Sequence, residues 1–321
     1  MSPLPALALA AYLIALIATL AVGARRVHRR RPEEIADLPG PVGDELRAVD
    51  AHERRTRSLA IVVGLVLALV LVGVQLAMAL GACGLISLAI LVLGERRSPA
   101  ITTRTRSAAL APRRTRGYLR PAALAMLTLV LAAIVADCVV GFPVAATTPY
   151  SADLGDTTHT LAAGTYLLGT SRMPSGGLLT QAYGPWPGPG TMVPVLVGLA
   201  VQVAVAAWAL HWVAARAQVS TVQLGNIDDV LRHRSADAVL GILLLGSSLI
   251  LPVVAVPMID AATWEAAQWD YARGTVGGVG LLVGLGAMAL GTHLLLRRDR
   301  LEVATPEAPV VTNRTVQAVT S

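Results

Sequence analysis

SLAIVVGLVLALVLVGVQLAMALGACGLISLAILVLG, residues 58 to 94, is a stretch in which no residue carries a charge. As one helix it would be ~55 Å long at ~1.5 Å per residue, against ~30 Å of bilayer hydrocarbon and a usual span of about 20 residues. Tilt does not absorb that excess. Two crossings leave arms of about 17 residues, at the short end of the spanning range. The flanks decide between one crossing and two. Residues 25 to 57 hold nine arginines (Arg25, Arg26, Arg29, Arg30, Arg31, Arg47, Arg54, Arg55 and Arg57). Residues 95 to 120 hold eight more (Arg96, Arg97, Arg104, Arg106, Arg113, Arg114, Arg116 and Arg120). Short loops this basic belong on the cytoplasmic side. Both flanks can lie there only if the block doubles back between Gln75 and Gly84, as two spans or as a re-entrant pair that stops short of the outer face.

Composition supports a membrane setting for the rest of the chain. Of 321 residues, 55% are hydrophobic and 14% charged, where an ordinary soluble domain carries about 25% charge. All 26 basic residues are arginine, which we read as the codon bias of a GC-rich genome. Cys83 and Cys138 both lie in apolar runs, so there is no disulfide framework or cysteine metal cluster to interpret.

Working outward from the central block, apolar segments near residues 3–24, 58–75, 78–94, 121–143, 193–215, 238–259 and 274–296 give seven predicted spans. The expected fold class is all-α: a polytopic transmembrane helix bundle with the amino terminus outside and the carboxyl terminus cytoplasmic, and spans two and three forming a tight hairpin. Residues 1–300 make one helix-bundle domain and 301–321 a disordered cytoplasmic tail. In this threading 24 arginines lie inside and only Arg172 and Arg273 outside. A single crossing of 58–94 would put 11 inside and 15 outside, so seven spans satisfy the positive-inside rule and six do not. No arginine precedes Pro3, and a cluster follows Ala24. A secretory signal carries its charge first, so the first span is expected to be an uncleaved anchor. Trp208, Trp212, Trp264, Trp269, Tyr271, Tyr118 and Phe142 sit near span ends, at the headgroup level that suits an amphipathic ring.

The two long loops are the inner one, 25–57, and the outer one, 144–192. The inner loop mixes its arginines with seven acids and reads as a helix from Gly43 into span two. The outer loop ends in Tyr183-Gly184-Pro185-Trp186-Pro187-Gly188-Pro189-Gly190, whose proline and glycine density favours tight turns or extended backbone. Between spans five and six, Asn226 with Asp228 and Asp229 predicts a helix start that runs on into span six. Pro252 should kink span six, with Ser247 and Ser248 nearby to satisfy freed backbone groups. In span seven, Gly274 with Gly278 and Gly280 with Gly284 have the spacing that lets helices approach closely, for internal packing or for self-association.

Asp137 is the one acid inside a predicted span, about two turns from the outer boundary. An ionisable group there costs ~2.5–3.5 kcal/mol on insertion scales, so it is expected to face the bundle interior or find a partner. It heads a candidate intramembrane polar site of Asp137, Gln202, Ser247, Ser248 and Arg273, with a structural hydrogen bond or ion pair as the plainer role. His211 and His293, near the inner ends of spans five and seven, form a candidate inner-side pair; interfacial histidines are common, and nothing in the sequence joins these two. Asp153, Asp156 and His159 would share a face only if helical, and Gly155 argues against that helix, so no metal and no cofactor is expected.

The sequence lacks GxxxxGK[ST], HExxH, GxSxG and CxxC, and with them the phosphate loop, zinc-protease, serine-hydrolase and dithiol chemistries those motifs carry. No enzyme is expected. The expected partners are the lipid bilayer, anionic headgroups at the arginine-rich inner loops, and a protein partner or a second copy through span seven; nucleic acid is not expected. The functional reading is a multi-pass protein of a bacterial plasma membrane acting as a noncatalytic partner, scaffold or sensor subunit. The alternative is a permease or carrier built around Asp137.

Overall fold

The structure, a computed structural model, describes residues 41–71, 76–98, 115–144, 150–153, 158–161, 166–172, 178–183, 188–215, 225–264 and 268–296, together with Ile14 and Ala18, both in helical conformation. The remainder of the first expected span, residues 25–40 of the inner loop and the tail 301–321 lie outside the described residues. Within them the chain forms α1 (Pro41–Leu71), α2 (Leu76–Arg96), α3 (Pro121–Gly141), α4 (Pro189–Ala215), α5 (Gly225–Ser248), α6 (Ile250–Trp264) and α7 (Gln268–Leu296). Short 3₁₀ turns at Thr115–Tyr118 and Phe142–Val144 bracket α3.

Four helical segments are long and apolar enough to cross a membrane: Pro121–Gly141, Met192–Ala215, Asp229–Ile259 and Arg273–Leu296. They coincide with the expected spans at 121–143, 193–215, 238–259 and 274–296. The helix expected from Gly43 is α1, which starts at Pro41 and continues without a break into residues 58–71. Because α2 is helical without a break from Leu76, the reversal expected between Gln75 and Gly84 does not fall within 76–84; residues 72–75, which join the two helices, lie outside the described residues. The two helices run antiparallel. Ser87 Oγ donates to the Ala60 carbonyl at 2.9 Å, and one turn-pair away the His52 imidazole meets the Gly94 carbonyl at 2.9 Å.

Contacts set the direction of every other helix. Gln202 of α4 lies beside Gly84 of α2 and Gly246 of α5, while Arg96 of α2 lies over Trp208 and Trp212 of α4, so α2 and α4 are parallel. Gly241 meets Gly291, and Gly277 meets Ala255, so α7 runs antiparallel to α5 and α6. The starts of α1, α3 and α5 and the ends of α2, α4 and α7 therefore share one end of the bundle. Arg47, Arg54, Arg57, Arg96, Arg120, Arg232 and Arg234 gather there, and Arg273, near the start of α7, is at the other.

The α5–α6 segment is the axis of the fold: 89% of its most apolar window is buried, and α2, α3, α4 and α7 pack around it. Its neighbours turn large apolar side chains outward, among them Val139, Val197 and Leu282, as does α1 with Val62, each more than half exposed. Asp50, Glu53, Asp137, Arg232, Arg234 and Asp237 lie inside. Water would penalise that arrangement at every outward side chain, whereas hydrocarbon does not. The helical interruption expected from Pro252 falls at Leu249, three residues earlier. Proline has no N–H to return to the Ser248 carbonyl, which weakens the ladder there.

The only strands among the described residues are in the long loop between α3 and α4. β1 (Tyr150–Asp153) pairs antiparallel with β2 (Thr158–Leu161), and β3 (Tyr166–Arg172) with β4 (Leu178–Tyr183), the second ladder having an irregularity between Leu167 and Gly169.

Candidate functional site

The polar residues of the bundle form two sets at different levels. The first surrounds the break in the central helix. Asp137 of α3 is fully buried, and neither carboxylate oxygen has a hydrogen-bond partner among the described residues. Both oxygens face Gly280 of α7, next to Leu251: a Cβ built on Gly280 would stand 3.5 Å from Oδ2 and 3.6 Å from the Leu251 side chain. Those are ordinary van der Waals distances, so the carboxyl packs against the Gly280 backbone with room for one more carbon. Arg273 lies two turns along α7 toward its start, beyond hydrogen-bond reach of Asp137.

Gln202 of α4 is equally buried, on the other flank of α5. Its amide fills a slot between Gly84 of α2 and Gly246 of α5, where a Cβ would come within 2.7 Å and 3.1 Å of Oε1 respectively. Three helices approach this closely only because two of them present glycine. Ser247 Oγ donates to the carbonyls of Leu243 and Leu244 at 2.7 and 3.2 Å, and Ser248 Oγ to Leu245 at 2.9 Å. Those hydroxyls serve their own helix, whose ladder weakens one residue later. The five residues expected to form one polar site are thus split by the α5–α6 axis: Asp137 on the α3–α7 side, Gln202 on the α2–α4 side, the serines bonded to α5, and Arg273 near the far end.

His211 of α4 and His293 of α7 are both exposed at the arginine-rich end, and α5 packs against each of their helices. Among the described residues no group of three or more histidine, cysteine or acidic side chains could hold a metal ion. In the long loop, Asp153 ends β1 opposite Thr158 and His159 pairs with Ala152, so this stretch is a hairpin rather than a helix; Asp156 lies outside the described residues.

The second set, at the arginine-rich end, has no counterpart in the expected site. Arg120, just before α3, places Nε 2.8 Å from both oxygens of Asp237 on α5, an acid only 2% exposed. Arg234 of α5 reaches Asp50 of α1 at 3.4 Å, and Arg54 reaches the same carboxylate at 2.7 Å. Arg57 pairs with Glu53 at 3.2 Å, and Ser235 donates to Glu95 of α2 at 2.7 Å. Arg232, fully buried, donates to the carbonyls of Val213 and Ala214 at 3.0 and 2.7 Å. These are last-turn carbonyls of α4 that have no partner within their own helix, and the positive charge suits the negative end of the helix dipole. A carbonyl only accepts, so His52 donates through Nε2 to Gly94 in the last turn of α2.

Position explains why these pairs exist. Topology calls only for arginine at this end, but helices packed closely enough to enclose α5 take the arginines out of water, and each buried guanidinium then needs an acceptor. The signal in the sequence was the mixed sign of the charge: Asp50, Glu53, Glu95 and Asp237 are interspersed with arginines that the positive-inside rule already explained. Beside the network, a cleft lined by His52, Glu53, Thr56, Arg57, Glu95 and Ser98 encloses about 10 Å³, room for about one water. Comparison with protein-family models finds no match, and searches of the curated proteins and of the solved structures return none, so the chemistry of these two sets carries the functional reading.

Proposed function

We propose that the chain is an integral protein of a bacterial plasma membrane that crosses seven times, amino terminus outside and arginine-rich end in the cytoplasm, and serves as a noncatalytic membrane partner, a scaffold or sensor subunit. The observation that carries this reading is how completely the helices fill the space around α5 and α6. Backbones touch at Gly241 and Gly291, Gln202 fills its slot, and ion pairs tie α1, α3 and α5 together at the basic end. A bundle packed this way is suited to holding a fixed shape and presenting its ends. At the outer end those include the two hairpins of residues 150–183. Spans two and three, near 58–75 and 78–94, are the shortest crossings, about 26–27 Å each at ~1.5 Å per residue, which local thinning of the bilayer accommodates.

The test is purification in lipid nanodiscs with mass spectrometry of what copurifies. A partner present in stoichiometric amount, and lost when residues 150–183 are replaced by a glycine–serine linker in an otherwise folded bundle, supports the scaffold reading. A solitary protein carrying a small molecule overturns it.

Asp137 favours a second reading, a carrier. An unpartnered buried carboxyl beside a helix interruption is the type of group that takes up and releases a proton or small cation. In proteoliposomes under an imposed proton gradient, such a carrier changes the signal of an enclosed pH dye, and Asp137→Asn abolishes the change. A flux insensitive to Asp137→Asn, or no flux from either protein, removes this reading.

A further inference from the structure

Two neighbouring parallel helices, α2 and α4, expose apolar side chains along their length and end together at Arg96. On α4 the exposed line is Val193, Val197, Val201 and then Trp208 and Trp212; on α2 it is Ala89 and Leu93. The Arg96 guanidinium lies 5.2 Å from the centroid of Trp208 and 4.9 Å from that of Trp212, within the range of cation–π attraction. It is exposed and forms no hydrogen bond or ion pair with the described residues. Stacking against the rings uses the faces of a guanidinium and leaves its edge donors, which suit phosphate in a two-pronged geometry.

We propose that the α2–α4 groove is a binding site for one anionic phospholipid, its headgroup phosphate on Arg96 between Trp208 and Trp212 and an acyl chain along Val201 and Val197 toward the bilayer centre. The dimensions agree. Eleven residues separate Trp208 from Val197, about 16 Å of helix at ~1.5 Å per residue, which is half of the ~30 Å hydrocarbon. The site differs from the general attraction of basic loops for anionic headgroups: it names one arginine, held in place by two indoles, above a continuous apolar track. Arg97 beside it is also exposed but is not over either ring, so it serves as the comparison.

The inference rests on the membrane-spanning reading with Arg96 at the headgroup level. The experiment is native mass spectrometry of detergent-purified protein after delipidation and titration with phosphatidylglycerol or phosphatidylcholine. The wild type should retain a single phosphatidylglycerol in preference to phosphatidylcholine. Arg96→Gln should lower that retention about fivefold, the factor equivalent to ~1 kcal/mol for an arginine near the headgroups. Trp208→Leu with Trp212→Leu should lower it as well, and Arg97→Gln should leave it near the wild-type value. Equal retention of the two lipids, or equal loss from Arg96→Gln and Arg97→Gln, overturns the site and leaves the topology standing. Displacement by soluble glycerol phosphate at equal concentration would show that the acyl track contributes nothing, which also overturns it. Recovery of the protein from cells in the soluble fraction without detergent overturns the membrane reading itself.

Discussion

Among the described glycines the closest approach to another backbone is at Gly241 of α5 and Gly291 of α7, and it can be tested by adding one carbon. A Cβ on Gly241 would stand 2.7 Å from the Gly291 carbonyl oxygen and 3.1 Å from the Leu295 nitrogen; a Cβ on Gly291 would stand 2.8 Å from the Gly241 carbonyl oxygen. The atoms in the way are backbone, so no rotamer change relieves the clash, and the helices must separate by roughly half an ångström along a tightly packed line. Overpacking of this kind costs about 1–3 kcal/mol. Alanine offsets ~1 kcal/mol of that through its higher helix propensity, so Gly241→Ala should be net destabilising by up to about 2 kcal/mol. Gly278, on the same helix as Gly291, has nothing within 4 Å of its added Cβ, so Gly278→Ala receives the propensity gain without the clash and should be neutral or stabilising by up to ~1 kcal/mol. The double variant Gly241→Ala with Gly291→Ala should cost less than the sum of the singles, because helices moved apart for the first carbon have already made room for the second. Reversible unfolding by steric trapping in bicelles measures all four proteins on one scale. Equal stability of Gly241→Ala and Gly278→Ala would refute the backbone contact and the antiparallel α5–α7 crossing drawn from it.

Three further outcomes follow from the polar sets. Arg120→Ala leaves Asp237 buried without its main counter-charge and should destabilise by about 3–5 kcal/mol, with Arg120→Ala plus Asp237→Ala recovering much of the loss in the same unfolding assay; strict additivity would mean that the pair does not form. Asp137→Val removes a buried carboxyl that has no hydrogen-bond partner among the described residues and should stabilise the fold by about 1–3 kcal/mol, a gain that thermal unfolding in detergent detects; a loss of stability would show that a partner holds the carboxyl in place. A topology reporter fused after Ser98 should read cytoplasmic and one inserted at Pro187 external, and an external signal at Ser98 rejects seven spans.

Asp137 and Gln202 were legible in the sequence because a polar residue in an apolar run must turn inward wherever the helix sits. Their neighbours were not. That Asp137 faces Gly280, and Gln202 the pair Gly84 and Gly246, depends on helix rotation and on which helices adjoin, and an apolar run of alanine, valine and leucine has no periodicity that fixes either. His211 and His293 share a level in the sequence because depth follows from counting residues, yet the fold exposes each on its own helix.

The sequence by itself determined four apolar helical segments, near 121–143, 193–215, 238–259 and 274–296, and the end of the bundle at which arginine collects, because bilayer thickness and the placement of charge act on each segment separately. Only the tertiary structure decided that α5 and α6 form the enclosed axis, that the central helix is interrupted at Leu249, and that Asp50, Glu95 and Asp237 partner the basic end. Those outcomes depend on pairs of surfaces meeting. In hydrocarbon, where one apolar face is as well solvated as another, the pairing is set by where glycine lets backbones touch and where a buried charge finds its acceptor.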